Sequence, residues 1–305
     1  MKYMTVQEAA AKWEVSERLV RRYCGQDRIP GLMQEDGVWM IPAQALKPEQ
    51  KKKEASRLPR LLKTLIKQRD TGRYSGLYDY LQINMVYSSS RMASNRLTRS
   101  QVEMLYHADK ILTNGEAIKV NDIIEVRNHF LCVDLILTEA MKPLTQTLVN
   151  QLQARLLSEG CRHKRHAAMP LGYRRTAAPD KYGKTPPPEE ISGALNRLFR
   201  EYEAKKEIGF HEILDLHVKF EQIRPFEDCN GRIGRLLMLK ECLRHEVMPF
   251  ILDDKRRGGY LEGIRSWPAE RGVLMDVCME AQMRFEAQLA LQGLLERHVR
   301  QCDGR

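Results

Sequence analysis

The chain has 305 residues, with 50 Lys and Arg against 40 Asp and Glu, a formal net charge of +10. A hydrophobic share of 43% beside a charged share of 30% supplies enough apolar surface for a sizeable core, which excludes disorder as the main state, and the length suits two domains. No run of about 18 apolar residues occurs and the first residues enter an amphipathic pattern without a signal-peptide core, so a cytoplasmic protein with no membrane contact is expected.

The seven cysteines (24, 132, 161, 229, 242, 278 and 302) are odd in number, widely spaced, and form no C-x-x-C pair, which argues against disulfides and a structural zinc. His163 and His166 stand three apart in a Lys/Arg-rich stretch without a neighbouring acid, and a solvated basic turn is the reading for them.

Residues 1–46 form a first domain. Thr5 is placed to cap a helix through Trp13, and Ser16 to cap a second through Leu19, Val20 and Tyr23. Arg28-Ile29-Pro30-Gly31 and Asp36-Gly37 then punctuate short apolar runs, the second being Val38 to Pro42, which suits a two-stranded hairpin. This outline resembles the small excisionase-like and MerR-like winged helix-turn-helix domains. The resemblance implies that the second helix, with Arg18, Arg21 and Arg22, meets double-stranded DNA. Residues 1–50 hold seven basic and seven acidic side chains, so only that helix face is positive, and a protein-interaction or dimerisation module suits the same outline. Residues 47–60, proline-punctuated and rich in Lys and Arg, read as a basic linker.

Residues 61–305 are dominated by helical periodicity. Asn121 is expected to cap an apolar run that includes Ile123, Ile124, Val126, Phe130, Leu131, Val133 and Leu137; Pro143 ends it, and Thr145 caps the next helix with Leu148, Leu152 and Leu156. Residues 172–188 are too rich in Gly, Pro and polar residues for a helix and suit an exposed loop or hairpin.

The chemistry concentrates between Phe220 and Arg235, where a polar loop feeds directly into the apolar helical run from Leu236 to Leu239. Asn230 and Gly231 fall at the start of that helix, where free backbone N–H groups and the positive helix end favour an anion. Arg232 and Arg235, three apart, share one face of the first turn and can reach one polyphosphate. Asp228 offers a hard oxygen ligand for magnesium beside it. The same residue types also suit an ordinary solvated helix start.

Residues 224–235 resemble the signature loop of Fic-domain proteins, His-Pro-Phe-x-Asp/Glu-Gly-Asn-Gly-Arg-x-x-Arg. Pro225, Phe226, Asp228, Asn230, Gly231, Arg232 and Arg235 agree with it, while Arg224 replaces the His and Cys229 the first Gly. The resemblance implies a mainly α fold: a helical Fic (Fido) domain with a short β-hairpin flap at 172–188, preceded by the winged helix-turn-helix domain. It further implies ATP and Mg2+ as ligands, AMP transfer to a protein hydroxyl as the ancestral activity, and a target protein meeting the flap by strand addition. By the same resemblance Asp228 holds magnesium, Asn230, Gly231, Arg232 and Arg235 hold phosphates, and the catalytic base position falls on Arg224. A guanidinium has no acceptor lone pair and stays protonated, so Arg224 cannot serve as a base, and a lost base typically removes a factor of roughly 10² to 10⁴ in rate. A Cβ at Cys229 disfavours the positive φ that a glycine there permits. Upstream, Val86 to Thr98 resembles the family's inhibitory helix, with Ala93 at the position of the inhibitory Glu.

Three readings follow. The first is a nucleotide- or phosphate-binding regulator with impaired catalysis. The second is an AMP transferase with an altered mechanism, in which Arg224 stabilises charge. The third is a DNA-binding regulator whose Fic domain is a scaffold, with a homodimer as the implied assembly.

Overall fold

In a computed structural model the chain is described at residues 2–47, 58–158 and 171–294, apart from positions 14, 16, 26–28, 36, 74, 114, 116 and 268. Linker residues 48–57, the Ser16 cap, the side chains of Arg18 and Arg22, and the turn around His163 and His166 lie outside the described residues. The chain divides into two compact units, Met1–Arg57 and Leu58–Arg305.

The first unit runs β1 (Tyr3–Met4), α1 (Val6–Trp13), α2 (Glu17–Gly25), β2 (Met33–Glu35) and β3 (Val38–Pro42). Thr5 caps α1 reciprocally: its hydroxyl accepts from the Glu8 N–H at 3.2 Å, and the Glu8 carboxylate accepts from the Thr5 N–H at 2.7 Å. β2 and β3 pair as the expected hairpin, Met33 opposite Met40 and Glu35 opposite Val38, with Gly37 at φ +81° in the turn. β1 adds to the other edge of β3, Tyr3 opposite Pro42, completing an antiparallel sheet of order β1-β3-β2. Ala9, Trp13, Val20, Tyr23 and Ile41 fill the core beneath it.

The second unit is helical: α3 (Arg60–Thr71), α4 (Leu77–Met92), α5 (Arg99–Ala108), α6 (Val120–Glu139), α7 (Gln146–Leu156), α8 (Ile191–Glu203), α9 (Phe210–Ile223), α10 (Asn230–Arg244), α11 (Arg257–Ser266) and α12 (Gly272–Leu291). α10 is buried along almost its whole length and packs against α9, α6, α4, α7 and α3, which makes it the axis of the unit. A helix buried on all sides has no amphipathic stripe, and here the polar side chains of Arg232, Arg235, Lys240 and Glu241 are buried along with the apolar ones. Thr145 caps α7 as expected, accepting from the Leu148 N–H at 3.1 Å, and Leu148, Leu152 and Leu156 all enter the core.

Three expectations need correction. Asn121 does not cap α6: the cap position is Lys119, without a side-chain bond, and Asn121 already lies in the first turn. Leu131, counted in that helix's apolar run, is 48% exposed because it falls off the buried stripe of Val126, Val133 and Leu137. Residues 172–188 form no hairpin; no strand is present there, and a single-turn helix at Pro188–Glu190 leads into α8. Pro179, Pro186, Pro187 and Pro188 remove four backbone donors from a stretch of ten residues, which denies it a ladder.

Candidate nucleotide-phosphate site

The loop joining α9 to α10 is bracketed by two left-handed residues, Arg224 at φ +46° and Cys229 at φ +71°. Each such conformation costs a residue with a Cβ about 1–2 kcal/mol, so the surroundings must over-determine it. They do so through polar bonds to the loop backbone. The buried Asn230 amide closes the turn, Oδ1 accepting from the Phe226 N–H at 3.0 Å and Nδ2 donating to the Phe226 carbonyl at 2.7 Å. Arg174, 2% exposed, donates from Nε to the Arg224 carbonyl at 2.9 Å, while its backbone N–H donates to the Pro225 carbonyl at 2.9 Å. Its Nη1 and Nη2 reach the carbonyls of Thr176 and Pro186, so one guanidinium ties residues 174–186 to the loop. The ring of Phe226 is buried beside Tyr173.

α10 begins at Asn230 with no side-chain cap, so the first-turn N–H groups point at the adjoining pocket. That pocket, about 190 Å³, is lined by Lys181, Arg224, Arg232, Arg235 and Arg257 against Glu221, Glu227 and Asp228. The cationic excess and the helix N-terminus together favour a polyanion. Gly231 lets a ligand approach the helix start: a Cβ there would sit 3.0 Å from Arg235 Nη1.

The expected site residues whose side chains are described each have a definite place. Arg232, 4% exposed, pairs with Asp228 at 3.1 Å and with Glu125 of α6 at 3.3 Å, and it donates to the Cys229 sulfur at 3.1 Å. Arg235 donates to the hydroxyl and the carbonyl of Ser89 on α4, each at 3.0 Å. Ala93 follows the end of α4 and lines the pocket with a methyl group. Asp228 accepts from the Cys229 N–H at 2.6 Å and remains 40% exposed in its side chain, facing the pocket. Asn230, expected to touch phosphate, has its amide engaged by Phe226, so its contribution to a ligand is through the backbone and through the loop it shapes. Arg224 reaches the Pro179 carbonyl at 3.4 Å from Nη1. Arg21 is exposed on α2 and paired with Glu17 at 3.0 Å.

These residues fit a phosphate chain with Mg2+. Asp228 is a pocket-facing carboxylate beside Arg232, which suits an ion that takes one or two carboxylates and completes its shell with phosphate and water. Arg232, Arg235 and the first N–H groups of α10 would hold the phosphates.

His217 and Tyr260 are both buried and share a 2.6 Å hydrogen bond between Nε2 and the phenol oxygen. Burial, reinforced by Arg235, brings the His217 pKa down to about 3, so the imidazole is neutral. Burial raises the Tyr260 phenol. Neither supplies a base to the loop: Tyr260 keeps its proton, and His217 lies behind Gly234, where a Cβ would meet its ring at 2.8 Å.

Sequence reasoning missed Ser89, Glu125 and Glu221. The last had a visible signal: Leu214, His217, Val218 and Glu221 share one helical stripe, and a carboxylate in a buried stripe marks a site. The partners Ser89 and Glu125 carried no such signal, being remote in sequence.

The fold and the pocket define a helical domain whose central helix presents its N-terminus and two arginines to the pocket. Residues 143–242 match the Fic/DOC family. The structure is similar to that of a Fic-domain-containing signaling protein from Bacteroides thetaiotaomicron, with a TM-score of 0.60, 18% identity, and coverage of 76% of this chain and 97% of that one. It is also similar to Fic-1 from C. elegans, with a TM-score of 0.59, 14% identity, and coverage of 76% and 72%. A Fic family protein from Desulfovibrio desulfuricans gives a TM-score of 0.51 at 20% identity, covering 73% and 74%. At these identities the likeness is one of fold. No curated protein matches the sequence. Among the described residues no helix is long and apolar enough to cross a membrane.

Proposed function

We propose that this protein binds a nucleoside di- or triphosphate with Mg2+ at the α10 N-terminus and acts as a nucleotide-responsive regulator, with AMP transfer impaired. The observation that carries the reading is the pairing of a cationic phosphate pocket with Arg224 at the position where the chemistry needs a base. Arg232 and Arg235 supply charge and donors for phosphate, and Asp228 supplies the magnesium ligand. The target hydroxyl finds no proton acceptor at residue 224. A protein partner would meet the lip of the pocket formed by residues 175–181, which are exposed or half-buried.

Calorimetric titration with ATP and Mg2+, followed by intact mass of the same samples and of a target-protein mixture, tests the reading. Saturable binding that is lost in Arg232→Ala, without an AMP adduct, is expected. An adduct would instead support the altered transferase, and absence of saturation would remove nucleotide binding.

A second reading concerns the first unit. The exposed Arg21 of α2 and the β2-β3 hairpin of the same unit support a reading in which helix and hairpin meet double-stranded DNA. Duplex binding that weakens with salt and with Arg21→Ala would support it, and salt-independent or absent binding would sink it.

A further inference from the structure

Glu221 stands apart from the other polar groups of the pocket. It is 6% exposed, and its Oε1 has no hydrogen-bond partner. A Cβ built on Gly231 would lie 3.5 Å from that oxygen and 3.0 Å from Arg235 Nη1, so carboxyl and guanidinium reach the same point above the start of α10. They form no direct ion pair there, and Arg235 turns two other donors toward Ser89. The gap between an unsatisfied carboxyl and a guanidinium, over a residue with no side chain, is a place for one ligand oxygen.

The groups around Glu221 fix how it behaves. His217 on its own helix is neutral, and Tyr260 from α11 is a neutral phenol. Burial raises the Glu221 pKa, opposed by Arg235 of α10, Lys181 of the preceding loop, and Arg224 at the end of α9. Arg257 and Arg232 complete the cationic lining, Glu227 and Asp228 add carboxylates, and the end of α4 with the residue after it contributes the uncharged Ser89, Met92 and Ala93. An incoming polyphosphate would attract those cations to itself and repel an ionised carboxyl, which favours the protonated acid further.

We propose that Glu221 is a proton-dependent specificity residue of this pocket: protonated, it donates to a ligand phosphate oxygen that Arg235 also holds, and ionised, it repels that oxygen and takes Arg235 for itself. The inference rests on the phosphate reading above and deepens it. Ligand and proton then enter together, the proton coming from solvent, and the site prefers its polyanion at the acid end of the pH range.

The test compares wild type with Glu221→Gln, whose neutral amide keeps a donor at every pH, using inorganic tripolyphosphate and Mg2+ from about pH 5.5 to about pH 8.5. Titration of the ligand acts on both proteins alike, so the ratio of their affinities reports Glu221. The two should bind comparably at the acid end, with Glu221→Gln roughly tenfold or more tighter at the alkaline end, a tenfold change being the response to one pH unit of full linkage. A ratio constant with pH overturns the proposal and leaves the phosphate site standing. Absence of binding by both proteins at every pH overturns both. Should Glu221→Gln fail to fold, calorimetry of the wild type in two buffers of different ionisation heat counts the protons directly. Net uptake beyond the ligand's own supports the proposal, and none overturns it.

Discussion

Arg235 donates from Nε to the hydroxyl of Ser89 and from Nη2 to its carbonyl, both at 3.0 Å, which joins the second turn of α10 to the last turns of α4. Ala93 lies one helical turn beyond Ser89, lining the same pocket. The arginine that lines the pocket is therefore anchored on α4 by the neutral Ser89 rather than by a carboxylate.

Ala93→Glu places a carboxylate where it competes for Arg235. A charged hydrogen bond contributes about 1.5–3 kcal/mol, so ATP binding is expected to weaken by roughly 10-fold to 100-fold. Calorimetry on the variant checks this, and unchanged affinity would separate position 93 from the site.

Arg224→His together with Cys229→Gly restores a titratable base and a residue suited to φ +71°. A gain of AMP transfer of about 100-fold or more over wild type is expected, the low end of what a positioned base contributes. Mass analysis of a target-protein mixture would detect it. Loss of an activity already present in wild type would instead mean that Arg224 itself works in transfer.

Asn230→Ala leaves the Phe226 N–H and carbonyl without their partners inside the protein. Two buried bonds are lost, and the expected destabilisation is about 2–3 kcal/mol, with phosphate binding lost as the loop opens. Urea unfolding measures the first effect and calorimetry the second. A stable variant that still binds would mean that the left-handed residues hold the loop without the amide.

Buried neutral histidines make stability depend on acid. His217 has its pKa lowered to about 3, so the folded state binds fewer protons than the unfolded state between that value and the ordinary imidazole value of about 6.5. Its contribution is present above about pH 6.5 and is lost as pH falls toward 3. His129 on α6, fully buried and beside Arg232 and Arg235, shifts in the same direction. The urea midpoint should therefore fall on acidification, and His217→Gln should reduce that fall without abolishing it. An identical acid dependence in the variant would remove His217 from the account.

The sequence determined what depends on neighbours along the chain. Thr5 and Thr145 cap their helices because a hydroxyl three residues before a free N–H is a local arrangement, and Gly37 turns the β2-β3 hairpin because only the turn conformation is at stake. The segment from Arg224 to Arg235 showed its loop, its helix start and its two arginines for the same reason. Local pattern failed where partners lie far off. β1 is too short to alternate, and only β3 makes it a strand. Gly and Pro at 172–188 signalled irregular backbone, but Arg174 and its carbonyl partners set the path of that segment.

The tertiary structure alone decided what each charge meets. Arg232 faces Glu125 from α6, Arg235 faces Ser89 from α4, and Glu221 is brought over Gly231 with no partner for Oε1. The physical reason is that a charge acts through distance and burial, which packing between elements fixes, for Arg232 and Arg235 across more than a hundred residues of chain. Residue type and spacing supply the charge; they do not say how much water is left around it.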